Sequence, residues 1–162
     1  MVKVRCHYIN NKEEKFDSDK LLFRPSVYGL LIKDNKIVLI KQRGGYDFPG
    51  GGIKIHETIE EALKREFWEE TGLRIKPVRV IHCQTSFFVL PSLDQIKRPR
   101  NCVMMYYICE LEGGKFSIKN FSEFEKFEAL YPEWVELNKI DQIKFQNSVD
   151  SPMIITNALK MI

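Results

Sequence analysis

Two apolar, β-branched-rich runs, Ser26 to Lys33 and Lys36 to Gln42, are parted by the polar pair Asp34-Asn35, a pattern that predicts a β-hairpin. Met1 to Tyr8 predicts a further strand. The stretch YDFPGGG, Tyr46 to Gly52, then ends regular structure with a proline and a run of glycines. Thr58 to Thr71 has helical character and holds neither Gly nor Pro; Thr58-Ile59-Glu60-Glu61 fits a capping box and sets its start, and Gly72 sets its end. Beyond it, Val78 to Leu90 and Cys102 to Leu111 predict strands around a loop carrying Pro91 and Pro99. Glu112-Gly113-Gly114 reads as a turn and Glu133 to Leu137 as a short strand, while Phe121 to Tyr131 fits both helix and loop. Pro152 falls in the first turn of a last helix, Ser151 to Lys160. The expected architecture is a mixed central sheet with helices packed on it, one α+β domain of α/β/α type over residues 1–162.

Composition narrows the class. With 162 residues, 44% hydrophobic and 29% charged, the chain can bury a core and lacks the low hydrophobicity of disorder. Cys6, Cys83, Cys102 and Cys109 form no C-x-x-C pair, and His7, His56 and His82 add no zinc-type spacing, so reduced, mostly buried thiols are expected. The N-terminus lacks the apolar region of a signal peptide, and no run approaches a membrane span, so a cytoplasmic protein is expected. The net charge of +3 is spread out. Its densest basic piece, Lys97-Arg98-Pro99-Arg100, reads as a solvated loop, and no stable nucleic-acid complex is expected.

Against that mild positive charge, REFWEETG (Arg65 to Gly72) is unusual. Glu66, Glu69 and Glu70 stand at i, i+3 and i+4, on one face of the predicted helix, where like charges repel. Ile59, Ala62 and Leu63 continue that face toward the helix start, so a core-facing stripe turns acidic at its end. A hard divalent cation, Mg²⁺ or Mn²⁺, would offset the repulsion, since such ions take oxygen ligands and bridge carboxylates to phosphates. A plain solvated acidic face is the alternative reading of the helix alone.

The residues before the helix decide between these. Gly51 and Glu57 are separated by five residues and Glu57 and Arg65 by seven, and Glu66, Phe67, Glu69, Glu70, Gly72 and Leu73 follow. The segment GGIKIHETIEEALKREFWEETGL thus meets every fixed position of G-x5-E-x7-R-E-U-x-E-E-x-G-U, with U apolar, and it resembles the signature of the Nudix hydrolases. The resemblance implies a Nudix-type α/β/α sandwich carrying a loop-helix-loop motif and a C-terminal helix. It implies metal-dependent cleavage of a nucleoside diphosphate linked to another group. By motif position Glu66, Glu69 and Glu70 are metal ligands with the carbonyl of Gly50, Glu57 supports them, and Arg65 fixes carboxylate orientation through ion pairing.

Around the motif, the resemblance suggests Arg43 as a phosphate-binding arginine, with Lys41 on the same face by strand alternation. His56 stands where a glycine is usual, which would strain any positive backbone angle there, and Gly52 replaces a lysine that contacts phosphate in some relatives. Glu128, six residues before Trp134, matches a late glutamate of relatives that cleave nucleoside triphosphates and is a candidate base; Glu123 and Glu125 compete with it. Asp150 in VDSPMI either faces a base edge or sits just outside an ordinary helix entry capped by Ser151. Phe48, next to the glycines, is a candidate substrate contact, and Tyr46, Phe87 or Phe88 could stack on a base. Trp68 faces away from the three glutamates. The substrate expected is a small-molecule nucleotide, foremost a nucleoside triphosphate cut to monophosphate and pyrophosphate, with ADP-ribose, a nucleotide sugar or a dinucleoside polyphosphate as alternatives. A nucleotide-sensing domain without turnover would have lost fixed acids, and none is lost. The molecule is expected to be a monomer or homodimer.

Overall fold

The computed structural model describes residues 1–90, 96–121, 126 and 129–162. The expected hairpin is present: β3 (Leu22–Lys33) turns antiparallel into β4 (Lys36–Gln42), with Lys33 opposite Lys36. Asp34 and Asn35 both adopt positive φ, 49° and 59°, the conformation that a two-residue turn matching the strand twist requires. α1 (Ile59–Thr71) begins and ends as its caps dictate: Thr58 and Glu61 form the complete capping box, and Gly72 closes the helix at φ 76°.

The strands run longer than the hydropathy pattern suggests. β7 (Leu73–Leu90) starts directly after Gly72 and pairs antiparallel along its length with β8 (Arg98–Gly114). Gly113 and Gly114 therefore belong to β8, opposite Arg74 and Leu73, and make no turn. The basic piece around Pro99 is likewise strand, not loop. Pro99 is tolerated because β8 pairs with β3 only from Arg100 onward, so at the proline it has one neighbour and can spare an N–H. β9 (Ala129–Glu136) absorbs the expected short strand.

β1 (Lys3–His7) pairs with β2 (Glu13–Asp17) and, in parallel, with β7; β3 lies parallel to β8 and takes β6 (Gly50–Gly52) on its other side. β4 leaves with β5 (Gly45–Asp47) and β9 to form a second leaf. α2 (Ser151–Leu159) and the strand face bearing Leu30, Met104, Tyr106 and Ile108 share one core; α1 covers the opposite face through Ala62, Leu63 and Phe67 against Val27, Leu31 and Cys109. The result is the mixed-sheet α+β sandwich the sequence implied. Phe67 fixes the depth of α1: a Cβ on Gly29 of β3 would fall 2.8 Å from its ring. All four cysteines are free thiols, three of them buried. Among the described residues no helix is long and apolar enough to cross a membrane.

Candidate active site

α1 buries a stripe of Ala62, Leu63, Phe67 and Thr71, with Glu66 at its margin only 9% exposed; Ile59, expected on that stripe, is exposed instead. A carboxylate so placed needs a partner. Arg65 supplies it to three acids at once. Its Nη1 donates to Glu66 Oε1 at 2.7 Å and to Glu69 Oε2 at 3.2 Å, and Nε and Nη2 grip both oxygens of Glu57 at 2.5 and 2.8 Å. Nη2 also reaches the carbonyl of Gly52 at 3.1 Å, tying the helix to β6. This bidentate grip holds the Glu57 carboxyl down at about 2, and the same carboxylates push Arg65 above its usual range.

The glycines place backbone against these acids. The position a Cβ would take on Gly51 lies 2.7 Å from the Glu66 carboxyl carbon and Oε2, so no side chain fits between them. Gly50, at φ 151°, is hemmed by Val27 and Tyr28, and its N–H donates to Glu70 Oε2 at 2.8 Å. Gly50 and Gly51 thus share one small region with Glu66 and Glu70. His56 lies exposed, and the only non-glycine residues with positive φ among those described are Asn11, Asp34 and Asn35, so its place in the loop carries no such strain.

Beside this cluster a cavity of about 170 Å³ opens, walled by Tyr28, Ile40, Asp47, Phe48, Met104 and Asn147, with Gly50, Gly51 and Glu70 at one side. Phe48 is 2% exposed, its ring edge-on to Tyr106 and stacked on Phe145, both centroids at 5.6 Å. Asp47 Oδ1 accepts the Phe48 N–H and the Asn147 amide, each at 2.8 Å. Burial outweighs both bonds and raises the Asp47 carboxyl to about 6.

Other sequence candidates lie elsewhere. Lys41 alternates with the cavity-lining Ile40 and Gln42, and its ammonium sits 4.2 Å from the Tyr46 ring centroid. Arg43 lies exposed in the turn between β4 and β5. Asp150 is the N-cap of α2, accepting the Met153 N–H at 3.0 Å, while Ser151 is buried and donates to Asn147. Phe88 lines the cavity, whereas Tyr46 donates to Glu133. Glu128, Glu123 and Glu125 fall outside the described residues. Trp68 is 44% exposed. Arg24, Asp47 and Asn147 are the residues that sequence reasoning missed. Arg24 lies flat on Gly52, its Nη2 3.1 Å from where a Cβ would stand, and so fills the volume of any side chain at that position.

The model of the NUDIX domain family matches residues 22–155, a span that holds the acid helix, the glycines before it and most of the strands around the cavity. The chain belongs to this family and is a Nudix hydrolase. An ADP-ribose pyrophosphatase of Methanocaldococcus jannaschii is 31% identical over 144 residues, 84% of this chain and 76% of that protein. An 8-oxo-dGTP diphosphatase of Buchnera aphidicola is 40% identical over 68 residues, 38% of this chain and 52% of its own length. A Nudix hydrolase structure from Nitrosomonas europaea superposes with a TM-score of 0.65 at 16% identity, covering 86% of this chain and 90% of that one, and shows the same fold.

Proposed function

We propose that this protein hydrolyses a phosphoanhydride bond in a nucleoside diphosphate linked to another group, with Mg²⁺ as cofactor and Mn²⁺ able to replace it, and that its substrate is a nucleoside triphosphate. Water adds across one P–O–P linkage, giving a monophosphate and pyrophosphate. The observation that carries this reading is the junction of two environments, an acid cluster on α1 and a ring-lined cavity, at Gly50, Gly51 and Glu70.

The donor set suits a hard ion. Glu66, Glu69, Glu70 and the Gly50 carbonyl offer only oxygen, and Glu57 steadies them through Arg65. Among the described residues no three acidic, His or Cys side chains are gathered closely enough to hold a metal ion by themselves, so backbone, water and substrate oxygens would have to complete the shell. Mg²⁺ is the ion for which such a shared shell is usual, since it keeps several waters and binds through few carboxylates plus substrate phosphates. When bound, the ion offsets phosphate charge and promotes ionisation of the attacking water. Glu69, with a 30% exposed side chain, is the most accessible of the three acids paired to Arg65, and we assign it the proton from that water; Glu128 is the second candidate base. Arg65 positions the acids.

The cavity is well below the roughly 300 Å³ at which pockets for whole drug-sized ligands begin, so it suits one ring, with the phosphates outside it over the glycines. Asp47 and Asn147, not Asp150, offer the polar edge to read a base, and Phe48 and Tyr28 supply apolar wall. Arg24 over Gly52 supplies positive charge beside the phosphates, a role expected of Lys41 and Arg43 from the motif. ADP-ribose is the second reading, favoured by the Methanocaldococcus jannaschii relative, whose match covers most of both chains. Free thiols fit a reducing, cytoplasmic setting. A panel of nucleoside triphosphates, ADP-ribose, nucleotide sugars and dinucleoside polyphosphates with Mg²⁺ tests the reading: fastest turnover of a triphosphate supports it, and turnover of ADP-ribose alone replaces it with the second.

A further inference from the structure

The basic piece that looked like a solvated loop in the sequence is built into the sheet. Within β8, Arg98, Arg100, Cys102 and Met104 alternate onto one face, and Cys102 and Met104 line the cavity. Across the strands, Cys102 is level with Arg24 on β3, and Arg100 is level with Phe88 on β7. Arg24 and Phe88 line the cavity as well. The guanidinium of Arg100 therefore belongs to the same face, two residues or about 7 Å further along β8 from the level of Arg24.

These cations are crowded. Arg100 is pushed below its ordinary range, first by burial and then by the positive charges of Arg24 and Arg98. Among the described residues no carboxylate pairs with Arg24 or Arg100. The partners of Arg24 are neutral, the Ser26 hydroxyl at 2.7 Å and the side chains of Tyr28 and Cys102, and the buried Nε of Arg100 has no hydrogen-bond partner. The carboxyls that share the cavity, Asp47 and Glu70, are bonded to Asn147 and to backbone N–H groups of Phe48 and Gly50. Like charges gathered on a half-buried face at a pocket mouth are offset best by a multivalent anion.

Their position says which part of a substrate that anion is. Gly51 and Gly52 are consecutive, the first against the Glu66 carboxyl and the second against the Arg24 guanidinium. Consecutive residues face opposite sides of a strand, so Arg24 lies across the thin β6 from the acid cluster, and Arg100 lies a step further out on the Arg24 side. We propose that Arg24 and Arg100 form an anion step that holds a phosphate beyond the anhydride being cleaved, and that they select 5′-triphosphates over nucleoside diphosphates capped by a neutral sugar. This rests on the hydrolase reading above and assigns its substrate class: the third phosphate of a triphosphate has a cationic seat, and the terminal ribose of ADP-ribose gains nothing there.

The test compares kcat/KM for a nucleoside triphosphate and for ADP-ribose in Mg²⁺, in the wild type, Arg100→Gln and Arg100→Lys, with thermal melts to confirm folding. The ratio of triphosphate to ADP-ribose turnover should fall about tenfold in Arg100→Gln, through KM, and recover in part in Arg100→Lys. An unchanged ratio in a folded Arg100→Gln, or a wild type that prefers ADP-ribose, overturns the proposal. Calorimetric binding of inorganic triphosphate separates it from the hydrolase reading: if the wild type turns over neither nucleotide, that reading fails, while tighter binding by wild type than by Arg100→Gln still supports the anion step and equal binding removes it.

Discussion

Arg65 decides most at the scale of single residues. One guanidinium is shared among Glu57, Glu66 and Glu69 and the Gly52 carbonyl, so its removal leaves a group of mutually repelling acids around a side chain that was 19% exposed. Arg65→Ala should cost roughly 3 kcal/mol in urea unfolding, and Arg65→Lys should recover only part of it because an ammonium lacks the fork that holds both Glu57 oxygens. A loss within 0.5 kcal/mol, the usual range for a surface substitution, would contradict this account of the cluster. Asp47 gives a pH signature. Its carboxyl is raised from 3.8 to about 6, so its favourable contribution is complete below the unfolded value and fades as pH rises through 6. Asp47→Asn keeps an oxygen to accept from Phe48 and Asn147. Its melting temperature relative to wild type should therefore climb between pH 5 and pH 8, and a flat difference across that range would show that Asp47 ionises without cost.

At the scale of elements, β6 works because it has no side chains. Gly51→Ala should weaken Mg²⁺-supported hydrolysis roughly 10- to 100-fold, the usual effect of displacing a group that orients ligands, since the new methyl forces the Glu66 carboxyl aside. Gly50→Ala meets backbone, the Val27 carbonyl, and should instead lower soluble yield and melting temperature. Equal behaviour of the two variants would undercut the distinction. These are also the parts most legible in sequence. The capping box, the Gly72 stop and the Asp34-Asn35 turn are set by neighbours within a few residues, so they can be read locally. Arg24, Asp47, Asn147 and Arg100 could not be read that way. Their meeting depends on the pairing of β3 with β8 and on contacts between residues about a hundred positions apart, such as Asp47 with Asn147. Lys41 shows how alternation misleads when the cavity face is unknown: it shares the strand with Ile40 and Gln42 but has the other parity. Asp150 shows a local competitor winning, since an acid two residues before Pro152 satisfies the Met153 N–H as a cap.

For the whole molecule, the two leaves of the sheet meet along β3 and β4, and the cavity lies where they part, bordered by Ile40 on β4 and Tyr28 on β3. The acid helix packs on one side of this junction and the ring-lined pocket opens on the other, with only Gly50 to Gly52 between them. The central claim is that this narrow partition brings a nucleotide's anhydride to the acids of α1. The measurement that tests it most directly is product release from the preferred nucleotide in saturating Mg²⁺ by wild type and by Glu69→Gln, which removes the charge and keeps the shape. The account predicts that the variant folds and turns over at least about 100-fold more slowly. Full-rate hydrolysis by Glu69→Gln would contradict it.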